Sequence, residues 1–81
     1  GWTLHPSGTE ISRRFEFKNF YKVMMFVNAV AYMAQGEGHH PDILLGYNYC
    51  EIRFTTHAIQ GLSNNDFICA AKVNMLISQA P

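Results

Sequence analysis

The sequence predicts an α+β fold, a two-layer sandwich in which two helices lie on one face of a four-stranded, mostly antiparallel sheet. Apolar and polar residues alternate with period 2, as in half-buried strands, both before and after one long segment. In that segment apolar residues recur every three to four positions, which is the helical period, and a second such segment ends the chain. The element order β-β-α-β-β-α favours helices segregated on one side of an antiparallel sheet.

The first two strands are predicted to form a hairpin. The apolar stretch 2–4 is followed by Pro6-Ser7-Gly8, a combination typical of a turn because proline restricts φ and glycine tolerates positive φ. In the strand that follows, alternate positions share one side: Ile11, Arg13, Phe15 and Phe17. Arg13 is charged, so we expect it near the exposed start of the strand.

The long helix is predicted to begin after Asn19, a favourable N-cap, and to end at Gly36 and Gly38. We expect its buried stripe to consist of Phe20, Val23, Met24, Val27, Val30, Ala31 and Ala34. Further apolar residues widen this surface: Met25, Phe26 and Tyr32. A small core and a wide apolar helix together favour self-association of the chain.

The segment Gly38-His39-His40-Pro41 follows the helix, and its proline prevents the helix from resuming. Both imidazoles are therefore expected on a short, stiff connection. A third strand is predicted to begin at 43–45, and a fourth alternates from Tyr49 until His57 ends it on the polar face.

The last helix is predicted to start at Ser63, with Asp66 three residues later completing a capping box. Its apolar residues are Phe67, Ile68, Ala70, Ala71, Met75 and Leu76, and we expect it to end near Gln79.

Composition excludes several classes of protein. The 81 residues suit one small domain, 1–81, and a net charge of +0 disfavours direct binding to nucleic acid. Apolar runs are shorter than the roughly 20 residues of a membrane span, and no secretory leader opens the sequence. Cys50 and Cys69 are too few for a disulfide framework and suit buried sites in a reducing compartment. We therefore expect a cytoplasmic protein without membrane contact.

Four polar side chains suggest chemistry: His39, His40, His57 and Asp66. Each alone has a structural explanation, since histidine can cap helix carbonyls and aspartate can cap a helix N-terminus. Together they leave a metal site and acid/base catalysis open. Adjacent histidines on an extended connection point in different directions, and HxH, HxxxH and CxxC spacings are absent, so a metal is the less favoured interpretation. Imidazole exchanges protons near neutral pH, which favours acid/base catalysis.

The same residues carry a resemblance to a known family. Its segments are ISRRFEFKNF at 11–20, GHHPD at 38–42, Tyr47-Asn48, Thr56-His57 and GLSNND at 61–66. On this combination the chain resembles the pterin-4a-carbinolamine dehydratases, which in animals double as dimerisation cofactors of a homeodomain transcription factor. The resemblance implies dehydration of 4a-hydroxytetrahydropterin to quinonoid dihydropterin, which recycles the cofactor of aromatic amino acid hydroxylases.

The reaction implied by the resemblance needs an acid that protonates the departing hydroxyl and a base that removes a ring proton. The pterin is the substrate, and neither a metal nor a cofactor is implied. By position, the acid/base and substrate-orienting residues would be His39, His40 and His57, with Asp66 supporting His57. The expected pterin contacts are His39, His40, Pro41, Thr56, His57, Ala58 and Ile59, with Trp2 and Tyr47 as aromatic surroundings.

One position departs from the family pattern. Many members carry a carboxylate four residues before the first histidine, and this chain has Gln35 there. The partners implied are a pterin, further copies of the chain and a functional link to an aromatic amino acid hydroxylase. A second hypothesis is a non-catalytic dimerisation or transcriptional cofactor module that uses the wide apolar face of the 20–34 helix.

Overall fold

A computed structural model describes residues 1–79, with four strands and two α-helices in the predicted order. The strands are β1 (Thr3–Leu4), β2 (Ile11–Glu16), β3 (Asp42–Leu45) and β4 (Tyr49–Phe54). The helices are α1 (Phe20–Glu37) and α2 (Asn64–Gln79). The sheet order is β1-β2-β4-β3 and every pairing is antiparallel, so the predicted α+β class is confirmed. Residues 80 and 81 of the predicted domain lie outside the described residues.

The central strands β2 and β4 pair over six residues, from Ile11 opposite Phe54 to Glu16 opposite Tyr49. Their alternation is as predicted, and one face of the sheet carries buried apolar side chains: Ile11, Phe15, Cys50, Ile52 and Phe54. Both helices contribute buried residues to this same cluster, so both lie on that face. The opposite face bears ion pairs within strands, between Arg14 and Glu16 and between Arg53 and Glu51.

The expectation that Arg13 lies near the exposed start of its strand is wrong. Arg13 is half-buried on the helix side of the sheet rather than at an exposed strand start. Its guanidinium lies 4.6 Å from the centroid of the Phe15 ring and donates to Asn74 Oδ1 of α2 at 2.7 Å. The aliphatic stem can thus pack on the core while the charged end is satisfied by α2.

Helix α1 begins and ends on local signals that the sequence already contains. Asn19 Oδ1 accepts a hydrogen bond from the Lys22 N–H at 2.9 Å, which confirms the predicted N-cap. Gly36 is still helical, and the helix ends at Gly38, whose φ of 65° is the left-handed conformation that glycine adopts most readily.

The buried face of α1 differs from the predicted stripe. In α1 the buried residues are Val23, Phe26, Val27, Val30 and Ala34, whereas Phe20 and Ala31 are exposed. Phe26 belongs to the core because its ring packs against Phe15 at 4.9 Å and Phe17 at 5.3 Å between centroids. In α2 the apolar core residues are Cys69, Ala70 and Val73, and four of the apolar residues named for this helix are exposed: Phe67, Ile68, Ala71 and Met75.

Neither α1 nor α2, the helices found in residues 1–79, is long and apolar enough to cross a membrane.

The two glycines at the end of α1 provide a test of this helix stop. Gly38→Ala should lower the free energy of unfolding by about 1 kcal/mol, because alanine is strained in the left-handed region. Gly36→Ala should raise it by about 0.5–1 kcal/mol, because Gly36 is helical and a Cβ there meets no neighbouring atom. Urea denaturation at constant m value measures both. Shifts of the same sign would contradict the assigned helix end.

Candidate functional site

The candidate site is built around Asp66 in the first turn of α2, and this carboxylate is completely buried. Asp66 Oδ2 accepts a hydrogen bond from the backbone N–H of Ser63 at 2.9 Å, which is the reciprocal half of the predicted capping box. The Ser63 hydroxyl instead lies 2.7 Å from Thr56 Oγ1. The capping residue therefore also connects α2 to the segment that follows β4.

His39 is the imidazole that Asp66 holds. The distance from His39 Nε2 to Asp66 Oδ1 is 2.6 Å, and the His39 side chain is 13% exposed. Its ring lies parallel to Phe54, within 8° and with centroids 5.9 Å apart. The backbone N–H of His39 donates to Ala34 O at 3.2 Å, so the turn at Gly38 directs this residue back towards the core. The imidazole bonded directly to Asp66 is that of His39, whereas the expectation assigned this support to His57.

His57 lies in a turn after the sheet, not at the end of a strand as predicted. Strand β4 ends at Phe54, and His57–Ile59 form one turn of 3₁₀-helix. Thr56 and Gly61 close this turn with N–H to O hydrogen bonds of 2.8 and 3.3 Å, and Gln60 has a φ of 51°. Strand pairing has already ended at Phe54, and the left-handed Gln60 closes the turn after His57. As a result His57, Ala58 and Ile59 are exposed.

His40 is exposed and has a different partner from its neighbour. Its Nε2 lies 2.9 Å from Gln35 Oε1 in the last turn of α1. The residue that replaces the family carboxylate thus contacts the second histidine, not the first. The nearby carboxylate of Glu37 pairs with Lys72 Nζ of α2 at 2.8 Å.

Burial and hydrogen bonding act on Asp66 in opposite directions. Burial by itself would raise the pKa of the Asp66 carboxyl, since the charged form loses its hydration. Hydrogen bonds from His39, the Ser63 N–H and the Thr56 hydroxyl, with the charge of His39, outweigh burial and hold this pKa below its ordinary value. Asp66 is therefore an anion at neutral pH, although it is out of contact with water.

The predicted site residues are only partly brought together by hydrogen bonds. A single network joins His39, Asp66, Thr56 and Ser63. His57 follows Thr56 in the chain, about 3.8 Å away between Cα atoms. Tyr47 is exposed, and Trp2 packs on Phe54 at 5.8 Å between ring centroids.

Sequence reasoning missed Phe54 as a neighbour of His39 and the contact between the Ser63 and Thr56 hydroxyls. Ring stacking and hydroxyl-to-hydroxyl contacts leave no spacing pattern in a sequence, whereas Gln35 was singled out from the family pattern. Within residues 1–79 no three His, Cys, Asp or Glu side chains are grouped so that they could hold a metal ion, and every buried polar side-chain atom has a hydrogen-bond partner.

The lowered pKa of Asp66 predicts how stability depends on pH. The stability that this carboxylate contributes is complete above its ordinary pKa of about 3.9 and is lost as pH falls through the lower, folded-state value. Asp66→Asn should therefore lower the free energy of unfolding by about 1–3 kcal/mol at pH 7, because the new amide NH2 faces a hydrogen-bond donor. The difference in the free energy of unfolding between the parent chain and Asp66→Asn should become smaller as pH is lowered. Urea denaturation at several pH values measures this.

Asp42→Asn is the matched control, because Asp42 is an exposed aspartate on β3. Its unfolding curves should follow those of the parent chain. A difference between parent and Asp66→Asn that is independent of pH would contradict the assigned role of the buried charge.

Comparison with known proteins places this geometry in a family. A family model described as pterin 4 alpha carbinolamine dehydratase matches residues 1–76. A protein of Nitrosomonas eutropha is 60% identical over 77 residues, which cover 95% of this chain and 66% of that protein. A protein of Legionella pneumophila strain Corby is 54% identical over 76 residues, covering 94% and 67%. Both are named, provisionally, pterin-4-alpha-carbinolamine dehydratase, and the chain spans about two thirds of their length.

Two solved structures have the same fold. A transcriptional coactivator/pterin dehydratase from Brucella melitensis superposes with a TM-score of 0.88 at 30% identity, over 94% of this chain and 81% of that one. A pterin dehydratase-like protein, described as a RuBisCO assembly factor in the alpha-carboxysome, superposes with a TM-score of 0.79 at 24% identity, over 93% and 87%. By the family match and the identity to these relatives, the chain belongs to the pterin-4a-carbinolamine dehydratase family.

Proposed function

We propose that this chain dehydrates 4a-hydroxytetrahydropterin to quinonoid dihydropterin and water by histidine acid/base catalysis. The observation that carries the proposal is the pair formed by His39 and the buried, anionic Asp66, with Nε2 and Oδ1 2.6 Å apart. A buried charge held by a specific imidazole is costly for a small domain and is typical of a site that transfers protons. Family membership supports the same reaction.

The pair determines which nitrogen of His39 can react. An ionised carboxylate can only accept hydrogen bonds, so His39 Nε2 carries the proton that faces Asp66. This leaves Nδ1 to exchange a proton with the substrate. Dehydration also needs a second group, because one proton reaches the departing hydroxyl while another leaves a ring nitrogen. The exposed imidazoles of His40 and His57 are the candidates for that role.

The proposed pterin contacts lie on two chain segments that share the Asp66 network. The first is His39-His40-Pro41, and the second runs from Thr56 to Ile59, where the residues after Thr56 are exposed. The hydrogen bonds of Asp66 to His39 and to Thr56 keep these segments adjacent. The Thr56 hydroxyl is itself occupied by Asp66, so we assign Thr56 to the wall of the site through its backbone.

The wider setting belongs to the same proposal. Residues 1–81 act as a single dehydratase-like domain that needs no cofactor and assembles into a homodimer or homotetramer. Regenerating the pterin would serve an aromatic amino acid hydroxylase. The free, buried thiols of Cys50 and Cys69 suit a cytoplasmic location.

Stopped-flow dehydration of enzymatically generated 4a-hydroxytetrahydropterin tests the reaction. The parent chain should accelerate it, and His39→Ala or His57→Ala should each lower kcat by about 10²–10⁴-fold, the usual contribution of one acid/base group. His5→Ala is the matched control, because His5 lies in the β1–β2 hairpin and its imidazole, within the described residues, bonds only Ser7. A folded parent chain without activity, or an equal loss in His5→Ala, would overturn the proposal.

A second candidate function is a non-catalytic dimerisation or transcriptional cofactor. It is favoured by large apolar side chains on the outer face of α1, where Tyr21 is 69% and Tyr32 86% exposed, with Met25 between them at 41%. These positions recur at helical spacing and so form one stripe. The Brucella relative is itself described as a transcriptional coactivator as well as a pterin dehydratase.

Two variants distinguish the dehydratase from the cofactor function. A protein partner bound through α1 should be retained by a His39→Ala/His57→Ala double variant and lost in Tyr32→Asp, as measured by analytical ultracentrifugation with candidate transcription factors. Dehydratase activity should be lost in the His39→Ala/His57→Ala double variant and retained in Tyr32→Asp. Finding only self-association of the chain would count against the cofactor role.

A further inference from the structure

The Thr56 and Ser63 hydroxyls belong to the network but transfer no proton in the proposed chemistry. We propose that Thr56 is a positioning residue, whose hydroxyl ties the His57 turn to the buried Asp66 so that His39 and His57 are held as one unit. The inference deepens the proposed function and rests on it for its catalytic consequence. The geometry behind it is independent of the reaction.

The direction of each hydrogen bond follows from the chemistry of the groups. Thr56 Oγ1 donates to Asp66 Oδ2 at 2.7 Å, and a hydroxyl has a single proton to give. The Ser63 hydroxyl, 2.7 Å from Thr56 Oγ1, must then be the donor in that contact. A directed chain therefore runs from Ser63 through Thr56 to Asp66 Oδ2, while His39 occupies Oδ1.

The turn that carries His57 is anchored at its base. Thr56 and Gly61 exchange both backbone hydrogen bonds, and the Gln60 N–H donates to His57 O at 3.1 Å. Beside them, the Thr55 hydroxyl donates to Thr9 O at 2.5 Å, which connects the same segment to the hairpin two residues before β2. The Thr56 side chain is thus the contact that connects this closed turn with the carboxylate under His39.

Removing the Thr56 hydroxyl should change the protonation of Asp66, the carboxylate that His39 contacts. Asp66 Oδ2 would keep only the Ser63 N–H as a donor, and a buried carboxylate with fewer donors is protonated more easily. The ionisable group that acts on Asp66 is His39, opposite it, and Asp66 in turn acts on Cys69 of its own helix. Burial first, and then the charges of Glu37 and Asp66, raise the pKa of the Cys69 thiol, so this neighbour stays uncharged.

The test compares two variants of the whole chain. Thr56→Val removes the hydroxyl and keeps the shape, whereas Thr56→Ser keeps the hydroxyl. Carboxyl ¹³C NMR should show Asp66 taking up its proton about one pH unit higher in Thr56→Val, and no higher in Thr56→Ser. With pterin substrate, kcat should fall about tenfold in Thr56→Val, as expected for loss of a hydrogen bond to a charged group, and should recover in Thr56→Ser. KM should change less than kcat.

Two results would overturn the inference: an Asp66 titration in Thr56→Val that matches the parent chain, or an equal effect of Thr56→Ser. Should Thr56→Val fail to fold, Ser63→Ala takes its place, because it removes the donor to Thr56 but keeps the backbone N–H that bonds Asp66. A smaller upward shift of the Asp66 titration in Ser63→Ala supports the inference. An unchanged titration overturns it. The NMR titration remains decisive for a chain without dehydratase activity. Failure of the positioning role and failure of the proposed reaction are therefore distinguishable.

Discussion

The rest of the site depends on one buried charge, the carboxylate of Asp66. Burying an anion in a small core is unfavourable unless its lone pairs are occupied, and here two oxygens receive hydrogen bonds from His39, Thr56 and the Ser63 N–H. These donors come from three stretches of chain that follow different elements. The requirement to satisfy one carboxylate therefore brings together the end of α1, the end of β4 and the start of α2.

The three histidines of the site are consequently unequal. His39 is mostly buried, lies against Phe54 and faces a charged partner, whereas His40 and His57 are exposed and free to adapt to a ligand. Such a division suits a reaction in which one imidazole must be held in a single orientation and tautomer while others receive the substrate. The same hydrogen bonds contribute to stability, so rigidity of the site and stability of the fold have a common origin.

Relatives with this fold are described as enzymes, as a transcriptional coactivator and as an assembly factor. A shared fold does not imply a shared function, and the distinction lies in the site. In this chain the polar network lies at the ends of α1 and β4, and the exposed aromatic stripe lies on the outer side of α1. The two features therefore lie on separate parts of the domain.

The sequence by itself determined the element order and both helix starts, and it singled out His39 and Asp66, two members of the polar network. These are local properties: Asn19 and Ser63-Asp66 act through neighbours three residues away, and alternation reports burial along a single strand. Only the tertiary structure decided that Asp66 holds His39 and not His57, that His57 lies beyond the strand, and that Phe26 replaces Phe20 in the core. Such contacts join residues far apart in the chain. The packing of α1 and α2 on the sheet decides which of them form, and the spacing of residues in the sequence does not encode that packing.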